Sequence, residues 1–469
     1  MQRAINRRRA LLGGTAIAAV AALGAGVAFA GFGGSGDRTQ DVREAIQGGK
    51  AKNVIFLLGD GMGDSEITSA RYYHLGAAGR FPGIDGLPLT GEATTYSLIE
   101  DAGGPLHGKP NYVPDSAATG TAWATGHKTS NGRISTTIDD KTLPTILEKA
   151  QKAGFATGNV STAEITDATP AVLDSHVNDR GCQGPADMAN CPQYAKPDGP
   201  GSIAEQTVDH GVDVVLGGGR ARFEQKVTGG PDAGKTVLDQ AAGEGYTFVG
   251  DAAGLAAIKP KSKGKVLGLF NRGNMTLEWS GLPAAHPASG PQVCTEDNRE
   301  SKAPNEPSLE DMTTKAISIL DAKAKRSKSG KGYFLQVEGA SIDKQDHAAN
   351  PCGQIGETVA FDKAVQVARA YAAKHPDTLV VVTADHAHTS QIIEEVDAGT
   401  PGLQSILTTK DGTPLFINYA TVAPGPNASQ QHTGSEVRIA AEGPQAANVV
   451  GVIDETDEFT MMARALGLK

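Results

Sequence analysis

Several acids and histidines stand directly after short apolar runs. Asp60 follows Val54-Ile55-Phe56-Leu57-Leu58-Gly59, Glu338 closes Tyr333-Phe334-Leu335-Gln336-Val337, and Asp385-His386 follow Leu379-Val380-Val381-Val382-Thr383-Ala384. In Asp343-Lys344-Gln345-Asp346-His347 the outer pair is spaced i, i+4, so on a helical turn both point the same way and can hold one ion. His432 lies in the polar run Gln431-His432-Thr433-Gly434. Singly each residue is ordinary, since a strand-end Asp commonly caps a turn and a loop His faces water. Their number favours a shared site. Carboxylates mixed with neutral imidazoles suit Zn2+, whereas an all-oxygen set suits Mg2+.

A nucleophile has to stand beside such ions. Val113-Pro114-Asp115-Ser116-Ala117-Ala118-Thr119 reads as an extended approach closed at Pro114 and a helix starting near Ser116. From this segment alone, a helix cap is the more ordinary role for Ser116. The functional reading is a hydroxyl at the positive end of a helix, where an anionic substrate is favoured. There is no G-x-S-x-G elbow, so a metal-activated alkoxide is a more natural chemistry than a Ser/His/Asp triad. Gly229-Gly230-Pro231-Asp232-Ala233-Gly234-Lys235-Thr236 spells a Walker A motif. The half-polar Phe223–Thr228 before it is not a buried strand, and Asp232 sits where amides should cradle phosphate. It reads as a chance match in a surface loop.

The elements that must position these residues follow from the same runs. They are continuously apolar rather than alternating, as in parallel strands buried on both faces. Helical patterns at Leu143–Ala153 and Thr358–Lys374 fall between them. The fold expected is α/β, with a large, mostly parallel central sheet, helices on both faces, and the acids at the strands' carboxyl ends, where open sheets assemble sites. The 469 residues are 39% hydrophobic and 20% charged, enough for a large core, and residues 51–469 read as a single catalytic domain. A net charge of −10 with no basic run in the body argues against nucleic acid as a partner, and an aromatic share of 5% against a stacking surface.

Residues 1–30 read as an export signal: Arg3, Arg7, Arg8 and Arg9, an Ala/Leu/Gly/Val stretch from Ala10 to Val27, and Ala28-Phe29-Ala30 as a small-x-small site. Arg8-Arg9-Ala10-Leu11-Leu12 resembles the twin-arginine pattern. The stretch is just long enough to serve as an uncleaved anchor, but its Ala/Gly content makes it weakly hydrophobic. Periplasmic or secreted placement is expected, with no membrane contact after cleavage. Residues 31–50 are polar and Gly-rich, a flexible leader. The four cysteines of an exported chain point to two disulfides. Three connectivities are possible; the short loop between Cys182 and Cys191 favours local pairing, which leaves Cys294 with Cys352.

Taken together, Leu58–Gly63 with Asp60, Asp115–Thr119, Thr162–Pro170, Glu338–His347, Thr383–His386 and His432–Gly434 resemble the bacterial alkaline phosphatases. The likeness runs in order over residues 51–469 and is loosest between Lys196 and Lys331. It implies an exported, homodimeric phosphomonoesterase with a three-layer sandwich fold, two zinc ions and one magnesium ion per active site. By motif position, Asp343, His347 and His432 would hold one zinc, and Asp60, Asp385 and His386 the other. Asp60, Thr169 and Glu338 would reach the magnesium. Ser116 would be phosphorylated and Arg180 would clamp phosphate, oriented by Asp115. Asp167 and Lys344 would act through water on magnesium and phosphate. The family's disulfides match the pairing above. The departures are the export segment, the leader, Pro114 and the variable middle region, which bear on substrate preference and stability.

The implied mechanism is physically coherent. A phosphate monoester dianion offers little to acid or base side chains, so positioning and charge stabilisation must do most of the work. Metal ions supply both, lowering the pKa of the Ser116 hydroxyl and stabilising the departing alkoxide. Bound water and imidazole ligands both act deprotonated, so activity should rise toward alkaline pH. Two other classes share parts of the pattern: a phosphodiesterase or sulfatase with the same two-zinc core, and a secreted phosphate- or metal-binding protein without turnover.

Overall fold

A computed structural model describes residues 37–469 apart from 397–398 and 426–427. The export segment and the start of the leader lie outside the described residues. Where the leader is described it is not wholly irregular. Thr39–Ala45 forms one short helix, and Val42 and Ala45 rest against the core. Two apolar side chains three apart suffice to dock a turn, yet are too few to register as a period.

Ten strands build the central sheet: β1 (Asn53–Gly59), β2 (Leu89–Thr94), β3 (Ala156–Glu164), β4 (Val214–Gly218), β5 (Tyr246–Val249), β6 (Lys265–Leu269), β7 (Tyr333–Gly339), β8 (Thr378–Ala384), β9 (Val437–Glu442) and β10 (Gly451–Asp454). Their order is β10-β2-β9-β8-β1-β7-β3-β4-β6-β5. Every neighbouring pair is parallel except the two that β9 makes, with β8 and with β2. The mostly parallel sheet is therefore present, with one reversed strand.

Alternate residues of a strand feed opposite faces, which is why β1 reads as one apolar run. Ile55 and Leu57 enter one core cluster, Val54, Phe56 and Leu58 the other. Helices Asp64–Leu75, Leu309–Arg326 and Pro351–Ala372 cover the first face. Ser116–Thr125, Ile146–Lys152, Ile203–Asp209 and Glu455–Leu466 cover the second, completing three layers. The helix expected over Leu143–Ala153 starts later, at Ile146, because Pro144 disfavours helical Leu143 and Thr145 closes a capping box with Glu148. The one expected from Thr358 starts earlier, at Pro351, where Asn350 caps it and proline fits the first turn.

A second sheet, with Ser390–Ile393, Pro414–Tyr419, Leu403–Thr408 and Ser289–Gln292 in that order, has no counterpart in the sequence reading. Cys182 pairs with Cys191 and Cys294 with Cys352. In the Walker-like segment Lys235 Nζ pairs with Asp232 at 2.9 Å and Thr236 caps the helix Val237–Gly243, so its charges are spent locally in a turn, as expected. Among the described residues no helix is long and apolar enough to cross a membrane.

Candidate active site

Strand register sets up the site. Leu58 pairs with Glu338 and with Thr383, and Glu338 pairs with Ser161, so the carboxyl ends of β8, β1, β7 and β3 lie level. Asp60 leaves β1 there, Asp385 and His386 leave β8, and Asp167 and Thr169 follow β3. One oxygen of Asp385 is held by the amides of Gly61 and His386 at 2.9 and 3.0 Å. The other faces His386 Nε2 at 3.2 Å. The two residues are fully buried. Asp60, Asp385 and His386 can each bring a donor atom within 4.8 Å of the others.

Ser116 is the first residue of its helix, not the cap. Asp115 is the cap, its Oδ1 accepting from Ala118 N at 3.0 Å. The arrangement frees the Ser116 hydroxyl, which lies 3.3 Å from His386 Nε2 and 3.5 Å from Asp60 Oδ1 and is only 2% exposed. The other Asp115 oxygen accepts from Gly132 N at 2.9 Å and from Arg180 Nη1 at 3.1 Å. Capping and chemistry are thus divided between neighbouring residues.

A second donor group stands beside the first. Asp343 and His347 face the same way on the helix Ser341–His347 and meet His432 and His388, all with donor atoms within 4.8 Å. Asp343 Oδ1 lies 3.4, 3.2 and 3.3 Å from Nε2 of His347, His388 and His432. The tautomers can be read from the far side of each ring. His347 Nδ1 donates to Gln430 O and His432 Nδ1 to Pro114 O, at 2.8 Å for the latter. Their Nε2 atoms therefore carry lone pairs when neutral, and these face each other at 3.1 Å. A cation between them resolves that opposition, and such outer hydrogen bonds are what orient metal-bound imidazoles. His388 is different. Its Nδ1 accepts from Thr389 N at 2.9 Å, so its proton lies on Nε2, which stands 3.2 Å from Asp343 Oδ1. The sequence reading missed His388, although its place two residues beyond His386 after a buried strand was a usable signal.

A third group lies on the β3 and β7 side. Glu338 accepts from the Ser161 hydroxyl, while Thr169 Oγ1 is buried without a hydrogen-bond partner. Asp167 bridges two cations, Arg180 Nη2 at 2.8 Å and Lys344 Nζ at 2.7 Å. Against its burial, Lys344 and Arg180 hold Asp167 well below the usual carboxylate range. Asp60 and Glu338 behave oppositely. Burial first, then Asp385, Asp343 and Glu338, push Asp60 far up, and burial pushes Glu338 up to about 7. So many converging carboxylates require compensating positive charge. With Thr169 Oγ1 and Asp385 Oδ2 both buried and making no hydrogen bond, the donor set fits divalent cations.

Every residue expected in the site is thus brought to the same edge of the sheet. Ser116, Asp343, His347 and His432 line a cavity of about 580 Å3 together with Asn131, Arg180 and Lys344. The fold and donor set define an α/β protein with room for several divalent cations beside a helix-borne serine. Residues 51–425 and 408–468 match the family described as alkaline phosphatase. Over 441 residues, 93% of this chain and 90% of the relative, the sequence is 52% identical to alkaline phosphatase of Escherichia coli K12. It is 50% identical over 422 residues, 89% of this chain and 91% of the relative, to streptomycin-6-phosphate phosphatase of Streptomyces griseus. The solved structure of Thermus thermophilus alkaline phosphatase shares the fold with a TM-score of 0.65, covering 93% of this chain and 96% of that one at 23% identity. The chain belongs to the alkaline phosphatase family, metal-dependent enzymes that hydrolyse phosphate monoesters.

Proposed function

We propose that the chain hydrolyses phosphate monoesters through a phosphoserine on Ser116, with two zinc ions and one magnesium ion per site. Asp343, His347 and His432 would hold one zinc, Asp60, Asp385 and His386 the other, and Asp60, Thr169 and Glu338 the magnesium. When bound, these ions supply the positive charge that lowers the hydroxyl's pKa and stabilises the leaving oxygen. The observation that carries the reading is the freed Ser116 hydroxyl, 3.3 Å from His386 Nε2 at the start of a helix.

Ser116 Oγ attacks phosphorus in line as the P–O bond to the alcohol breaks, and the proton given up by the hydroxyl ends on the departing oxygen, which leaves as the alcohol. Arg180 can bind two equatorial phosphate oxygens at once, and its contact with Asp115 sets the plane of the guanidinium. Asp167 bridges Lys344 and Arg180, and both cations line the cavity that would take the phosphate. Water then hydrolyses the phosphoserine and releases inorganic phosphate. The histidines bind cations only when neutral, so the rate rises toward alkaline pH. An acid-peaked profile on a simple aryl phosphate would overturn that part.

The decisive experiment is Ser116→Ala with metal analysis: the rate should fall by at least about 10^3-fold with metal content unchanged. Phosphate trapped on Ser116 at low pH distinguishes the enzyme from a phosphate-binding protein without turnover. A monoester hydrolysed far faster than a diester or sulfate ester separates it from the other hydrolases of similar design. We further propose residues 1–30 as an export signal, 51–469 as the catalytic unit, periplasmic or secreted placement, and a homodimer.

A further inference from the structure

A second convergence of imidazoles lies away from the cavity. Glu148 Oε1 is 3.1 Å from His176 Nε2 and 2.9 Å from His210 Nε2. The other oxygen of Glu148 is already committed to its capping box, accepting from Thr145 N at 2.9 Å. Both rings are fixed from behind, His176 Nδ1 by Ser135 O at 3.0 Å and His210 Nδ1 by Gln206 O at 2.9 Å. Since each Nδ1 donates to a carbonyl, each neutral ring carries a lone pair on Nε2, aimed at a carboxylate oxygen. That is repulsive unless both rings are cations or one metal ion sits among the three donors.

We propose that Glu148, His176 and His210 form a further, non-catalytic site for a divalent transition metal of the zinc class. Two neutral imidazoles and one carboxylate are a known zinc donor set, and ligand distances of about 2.0–2.2 Å put neighbouring donors about 3.4 Å apart, a few tenths of an ångström wider than the 3.1 and 2.9 Å from Glu148 Oε1 to the two Nε2 atoms, so a small side-chain adjustment admits the ion. The three side chains are 25%, 9% and 24% exposed, so water reaches the fourth position. Any proton carried by either Nε2 before binding leaves to solvent as the metal enters. The ion would clip together the helix Ile146–Lys152, the C-cap of the helix Ile203–Asp209 and the segment that runs from His176 to Arg180. That segment is tied at Val177 to Ile134, and Arg180 N donates to Gly132 O at 2.7 Å, so the clip stabilises the backbone beneath the phosphate-facing arginine.

The test uses the intact enzyme equilibrated with Zn2+ and freed of excess by gel filtration. Wild type should retain about one more zinc per chain than His210→Gln, with hydrolysis within about twofold, because the ion is outside the reacting site. Anomalous diffraction at the zinc edge should place a peak among Glu148, His176 and His210 in wild type. Equal zinc in both proteins, or no peak there, overturns the proposal and leaves a charged His-Glu-His cluster. Should His210→Gln fail to fold, the wild-type anomalous map decides alone. The measurement does not depend on the catalytic assignment.

Discussion

At the scale of single residues, function turns on which nitrogen of each imidazole holds the proton. His347 and His432 spend theirs on backbone carbonyls and keep Nε2 for a cation, whereas His388 receives an amide on Nδ1 and carries its N–H on Nε2, beside Asp343. His388→Ala should therefore leave the donor atoms in place but loosen Asp343, weakening zinc retention by about 10–100-fold in competition with a chelator. An unchanged affinity would mean that Asp343 is held by the remaining groups. Arg180 makes a different demand. Arg180→Lys keeps the charge and loses the planar two-point contact, so kcat/KM for a monoester should drop at least about tenfold. Steady-state kinetics near wild type would show that charge alone suffices.

Among elements, the helix Pro351–Ala372 carries an acid whose titration is set by packing. Glu357 Oε1 accepts from Glu278 N at 2.8 Å inside the fold. Burial, followed by the Glu278 carboxylate, pushes it up to about 8 from 4.5. The native protein thus keeps a proton there that the unfolded chain gives up. The resulting stabilisation is complete below about pH 4.5 and is lost as pH rises through about 8. Glu357→Gln removes the ionisation and should gain in Tm over wild type at alkaline pH, with a smaller gain in acid. A gain independent of pH would place the effect elsewhere. The same helix holds Cys352, whose bond to Cys294 closes a span of 58 residues. Replacing both cysteines by serine should cost about 2–4 kcal/mol by denaturant unfolding.

For the whole molecule, the site exists because four neighbouring strands end together. The continuous apolar runs at β1, β7 and β8 made those strands legible, since burial on both faces leaves no polar alternation to confuse the period. The acids beyond them were legible for the same reason. Less visible were β9, whose reversal depends on its neighbours, the second sheet, which joins Ser289–Gln292 to the strands between Ser390 and Tyr419, and the helix Thr39–Ala45 in the expected leader. The proposed dimer is checked by sedimentation of the mature chain, which should give twice the chain mass. A monomer that is fully active would remove the dimer from the account.

Residue types and local spacing determined the α/β class, the candidate donor residues Asp60, Glu338, Asp343, His347, Asp385, His386 and His432, and the family likeness, because these are properties of contiguous chain. Tertiary structure decided that Asp115 caps while Ser116 is free, that Asp167 bridges Arg180 and Lys344, and that His388 joins Asp343. It also brought Glu148 to His176 and His210 from three separate segments. Each of those outcomes depends on distances between residues remote in sequence and on which hydrogen bond occupies the far side of a ring, and neither is encoded in spacing along the chain.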